Sequence, residues 1–242
     1  MALAFNQDCL LPDQLPFPIK KDEDYIHEAS MPSCYPHQHC GCLMSNNTLI
    51  DFTIMTRHMR RYIRYIRQDT LPDVYDELTR DTVAWWDSVQ DKNIHLANCY
   101  YSMRLVLVFY LLQYEQSYLV TFDLLLDSLD VTLRLLQGLQ ELKLRGCDQS
   151  TYHHMFFAIH QTLKCILTHI RSDRSFHCLE TFAKQQFQMN LCVLEGTNAF
   201  VDDIYQMRSI GANIVSDMHQ LGFMDHEDQN RQTQYVFRLK AV

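Results

Sequence analysis

The chain has 242 residues, 47% of them hydrophobic and 21% charged, which is long enough to bury well over half of its unfolded surface and excludes global disorder. A formal net charge of -8 excludes polyanion binding by the surface as a whole and favours protein partners over nucleic acid. The opening MALAFNQDCLLPDQ lacks a basic start followed by an apolar stretch, so no secretory signal is expected, and the chain is assigned to cytoplasm or nucleus.

All six prolines lie at positions 12 to 72, and residues 73–242 contain none. Since an interior proline costs a helix about 3 kcal/mol, this partition reads as a map. Residues 1–44 are expected to form an irregular N-terminal arm, 45–222 a helical bundle, and 223–242 a polar C-terminal tail.

The arm ends in CYPHQHCGCL, residues 34–43, where Cys34, His37, Cys40 and Cys42 form two short-spaced pairs of zinc-type ligands. Only two residues separate His37 from Cys40, whereas common zinc modules insert about a dozen between the pairs. Zinc is therefore the lesser expectation, and no other cofactor is implied.

Helices are expected at about 47–69, 72–91, 94–114, 117–145, 149–171, 174–195 and 198–221. Gly146, Gly196 and Gly222 stand where periodic patterns stop, as left-handed caps would. No hairpin signal or repeat is present, so the fold class is all-α: an elongated bundle of six or seven helices.

The first helix carries RHMRRYIRYIR. Arg57, Arg60, Arg61, Arg64 and Arg67 cluster on one face, opposite Ile54, Met59, Tyr62, Ile63 and Ile66. Guanidinium forks bind phosphates and carboxylates, and Tyr62 or Tyr65 at the rim would stack on a base. The second helix follows the Pro72 link with an acidic face of Asp73, Asp76, Glu77, Asp81, Asp87 and Asp91, so the two should pair antiparallel with their charges meeting. Of the adjacent Trp85 and Trp86, one should be core and the other nearer an edge; Trp86 is taken as the interface anchor.

Leu105 to Leu112, LVLVFYLL, is apolar all round, which predicts a central helix; its eight residues fall far short of the ~20 that span a bilayer. In the next segment, Leu119, Phe122, Leu126, Leu129, Leu133, Leu136 and Leu144 recur at mostly three- and four-residue steps and are expected to be the core stripe. The junction near Glu115 has neither proline nor glycine, leaving open one continuous helix through both segments.

No GxSxG, P-loop, GxGxxG, HExxH or Glu-x-x-His pair occurs, so an enzyme is not expected. The histidines, His153 and His160 among them, are expected to be satisfied core or surface residues. The nine cysteines are read as reduced thiols, mostly core filler. The leading functional reading is a non-enzymatic interaction or adaptor protein in a larger hetero-oligomeric assembly, without membrane association. The alternative is a nucleic-acid-binding factor, RNA rather than DNA, using helix 57–67.

Overall fold

The computed structural model describes residues 46–90, 92–113, 120–146, 153–197 and 206–223. Seven α-helices account for most of them: α1 (Asn46–Arg67), α2 (Leu71–Ser88), α3 (Ile94–Leu112), α4 (Phe122–Leu144), α5 (His153–Ser172), α6 (Glu180–Glu195) and α7 (Met207–Gln220). Among the described residues there is no strand, and no helix is long and apolar enough to cross a membrane. The all-α expectation holds.

The chain divides into two compact units, with the boundary between Leu96 and Ala97 in the first turn of α3. In the first unit α1 and α2 form the predicted antiparallel pair. As position rises along α1 it falls along α2: His58 stacks near Trp85, Arg61 reaches Asp81, and the Tyr62 hydroxyl donates to the Leu78 carbonyl at 3.3 Å. Pro72 stands in the first turn of α2, where its missing N–H has no helical partner to lose. Val89 is extended and closes α2 three residues short of the predicted end.

In the second unit α5 packs against α6, and α4 lies against both, with α7 against α5 and α6. Leu125, Leu135, Leu136, Leu139, Phe156, Ile159, Leu163, Ile166 and Phe187 are wholly buried among these helices. Helix α3 is buried on most sides, as its all-round apolarity implied: Leu105, Leu107, Val108, Leu111 and Leu112 are inaccessible, while Tyr110 is exposed. Its first turn is capped by Asn93, whose side-chain oxygen accepts from the Leu96 amide at 2.9 Å.

Helices α3 and α4 are separate. Thr121 is extended, and its hydroxyl accepts from the Leu124 amide at 3.1 Å, a fresh N-cap for α4. The predicted helix 174–195 instead begins as a 3-10 segment, Arg174–Leu179, capped by Asp173. Gly146 and Gly222 adopt the left-handed conformation expected of them, at φ 69° and 66°. Gly196 does not, having φ -80°, so its helix ends without that cap.

Candidate protein-interaction surface

The α4 seam is where the structure departs most from expectation. Its core face is Leu124, Leu125, Ser128, Leu129, Val131, Thr132, Leu135, Leu136, Leu139 and Leu142. Only Leu129 and Leu136 of the predicted stripe belong to it. Phe122, Leu126 and Leu144 are 41%, 50% and 81% exposed, and Leu133 is half-buried. Leu119 lies outside the described residues.

The error has a physical cause. The helix holds more leucines than one seam can use, so apolar periodicity alone fits two stripes. The true seam admits polar residues that bond within the core. The Ser128 hydroxyl donates back to the Leu124 carbonyl at 2.6 Å. Thr132 bonds Gln186 of α6, whose amide in turn donates to the Leu129 carbonyl at 2.9 Å. Two short polar residues with satisfied hydrogens pass as core, and a leucine stripe is left over.

That leftover stripe is the candidate site. At roughly 100° per residue, Phe122, Leu126, Leu133 and Leu144 fall within about 40° of one another. Beside them runs a charged flank: Asp123, Asp127 and Asp130 in the first half of the helix, then Arg134, Glu141 and Arg145. Asp127 is held by Arg104 of α3 through both carboxylate oxygens, each at 2.6 Å. Asp130 pairs with Arg134 at 3.4 Å, and Glu141 pairs with Arg145, both one turn apart on the surface. Such surface pairs contribute little to stability, so they remain available to a partner's charges.

The arginine face of α1 is partly spent on α2. Arg61 lies 3.1 Å from Asp81 and 3.7 Å from Glu77. Arg57 and Arg60 are half-buried, and only Arg64 and Arg67 are exposed. Tyr62 is buried and hydrogen-bonded, so it cannot stack on a base as the sequence suggested. Of the tryptophans, the core member is Trp86, 8% exposed with the Lys92 ammonium 5.2 Å from its ring centroid; Trp85 is the half-buried one. Burial to that degree leaves Trp86 little area to offer a partner.

Sequence reasoning missed a buried polar cluster in the second unit. His160 Nε2 lies 2.8 Å from Asp217 Oδ2, and Lys164 Nζ is 2.9 Å from Asp217 Oδ1. Burial is the main cause that holds the His160 pKa below its ordinary value, against the opposing pull of Asp217. A neutral ring then donates from Nε2 to Asp217, while Nδ1 faces the Gln161 amide at 3.4 Å. His160 is the satisfied core histidine that was expected, but its partner, 57 residues away, left no local signal.

Cys99 and Cys165 are half-buried free thiols, and burial raises the pKa of each. Cys178 and Cys192 are exposed rather than core filler. Cys34, His37, Cys40, Cys42 and Cys147 lie outside the described residues. Among the described residues no three His, Cys, Asp or Glu side chains are grouped to hold a metal ion. No family model, no curated protein and no solved structure matches the chain.

Proposed function

We propose that the chain is a non-enzymatic protein-interaction subunit that presents the outer face of α4 to a protein partner. The observation that carries this reading is the exposure of Phe122, Leu126 and Leu144 along one strip of α4 that borders its buried face. Single exposed leucines are ordinary; an aligned row beside a charged rim is how docking surfaces are composed. The ring nitrogens of His160 engage Asp217 and Gln161, which suits a structural role and supports the non-enzymatic reading.

The test is capture of partners from native extract by the full chain and by its Leu126→Glu variant. Loss of capture with unchanged helicity supports the reading; equal capture by both proteins counts against it. RNA binding through Arg64 and Arg67, the exposed end of the α1 arginine face, is the competing reading. It requires an affinity that falls steeply with salt and with Arg60, Arg61 and Arg64 changed to glutamate.

A further inference from the structure

Helix α1 has a cationic strip whose direction is fixed by Tyr62. That ring is inaccessible and its hydroxyl bonds the Leu78 carbonyl of α2, so Tyr62 points into the α1–α2 pair. At roughly 100° per residue, Arg57, Arg60, Arg64 and Arg67 fall within an arc of about 80° centred opposite Tyr62. Arg61 stands between the two faces and turns to Asp81 and Glu77 of α2. Four guanidinium groups therefore line the side of α1 turned away from Tyr62.

Two observations describe what would fit there. Arg57 Nε is shielded from solvent, yet it has no hydrogen-bond partner among the described residues. A buried guanidinium nitrogen without an acceptor is costly, so the strip calls for a carboxylate or phosphate oxygen. Leu49, 53% exposed, lies on the same strip before the arginines. The surface is thus apolar at the start of the helix and cationic along the rest.

The chain itself contains a matching piece. Residues 22–28, DEDYIHE, place Asp22, Glu23 and Asp24 first, then Tyr25 and Ile26, then Glu28. They lie outside the described residues and precede α1 in the sequence. Extended, the segment spans about 20 Å, against about 15 Å of helical rise from Arg57 to Arg67. Seventeen residues, 29–45, join Glu28 to Asn46, ample to reverse direction and lay the segment on the helix. A tether of that length supplies a millimolar effective concentration, which lets individually weak ion pairs act together.

We infer that the acidic segment 22–28 of this chain docks on the arginine strip of α1, antiparallel to the helix. The order of residues sets the direction. Antiparallel docking puts Asp22, Glu23 and Asp24 on Arg57, Arg60 and Arg64, with Tyr25 and Ile26 towards Leu49. Glu28 then lies by the first turn of α1, which has no acidic residue of its own and favours one. The parallel direction would carry Tyr25 and Ile26 away from Leu49 and along the arginines. The inference is independent of the α4 surface, and it makes this strip the seat of the chain's own arm rather than of RNA.

Zero-length carbodiimide cross-linking of the full chain tests it. Arg60→Lys and Arg64→Lys, made singly, keep the positive charge and supply an amine that the reagent joins to a carboxylate in contact. The expected product is a peptide from residues 22–28 linked to the introduced amine, in material of single-chain mass, 28.7 kDa. Its yield should fall several-fold at about 0.5 M salt. Adding Arg57→Glu to Arg64→Lys should lower the yield about three- to tenfold, while Arg80→Glu on α2 should leave it unchanged. Each variant should keep the wild-type far-UV circular dichroism, since the strip lies away from the core.

No such peptide, links between chains only, or links chiefly to Asp225, Glu227 and Asp228 overturn the inference. So does a yield indifferent to both salt and Arg57→Glu, which is tethering without docking. A link that survives about 1 µM oligouridylate supports the arm as occupant; a link abolished by it makes nucleic acid the occupant and overturns the inference.

Discussion

Asp217 on α7 and His160 on α5 meet at 2.8 Å in the interior of the second unit, with Lys164 completing the charge balance on the carboxylate's other oxygen. The Lys164 side chain is 47% exposed, so the cluster joins a buried imidazole to the surface through one carboxylate. Replacing Asp217 with Asn keeps shape and removes the charge that Lys164 and His160 face. The expected loss is about 1–3 kcal/mol in chemical denaturation, the range for removing one member of a buried charged network.

The pH dependence has a definite sign. Burial holds His160 below the ordinary histidine value near 6.5, so as pH falls through that value the unfolded chain takes up a proton that the folded chain refuses. Stability should decline from about pH 7 towards pH 5. His58, whose pKa is also lowered chiefly by burial, adds to the slope with the same sign. Elsewhere the raised pKa of Glu195 opposes it at the acid end. The difference between wild type and His160→Gln isolates the His160 share: the variant's stability curve should be flatter over that window, and an equally steep curve contradicts the assignment.

Helices α3 and α4 approach closely at Gly138. A Cβ built there would lie 2.0 Å from Asn98 Oδ1, so the buried Asn98 side chain would have to shift to admit it. Gly138→Ala should therefore destabilise by about 1–3 kcal/mol despite alanine's better helix propensity. Adding Asn98→Ala should recover part of that loss, because it removes the obstruction and a buried amide nitrogen that lacks a hydrogen-bond partner among the described residues. Thermal unfolding of the single and double variants checks both statements.

The Arg104 side chain is only 13% exposed, and Asp127 holds its guanidinium through both carboxylate oxygens. Asp127→Ala should cost about 1–3 kcal/mol by removing the carboxylate that holds a largely buried guanidinium, while the double change Arg104→Met with Asp127→Ala should be milder. Tyr100 supplies a second reporter. Burial raises its phenol pKa and the neighbouring Arg104 lowers it, so removing the guanidinium should shift the Tyr100 titration upward in an absorbance measurement.

How far the sequence disclosed this protein varies by element. Helix starts and stops followed from punctuation: Pro72 opened α2, and Gly146 and Gly222 marked ends that the structure confirms. The α1–α2 pairing was legible because adjacent helices with opposite charge have a short link, and Arg61 with Asp81 bears it out. What could not be read was which of two leucine stripes on α4 faces inward. That choice depends on Gln186, more than fifty residues away, accepting Thr132 into the core. The His160–Asp217 contact was hidden for the same reason. The surface now singled out, Phe122 to Leu144, is composed of residues that periodicity alone assigns to the interior.

The central claim, that the outer face of α4 is covered by another protein chain, is tested most directly by carbene footprinting of the full chain, free and then captured with its partner. The account predicts strong labelling of Phe122, Leu126 and Leu144 in the free protein and marked suppression at these three residues in the assembled form, with exposed Phe182 of α6 labelled equally in both. Unchanged labelling of the α4 residues on assembly would contradict it.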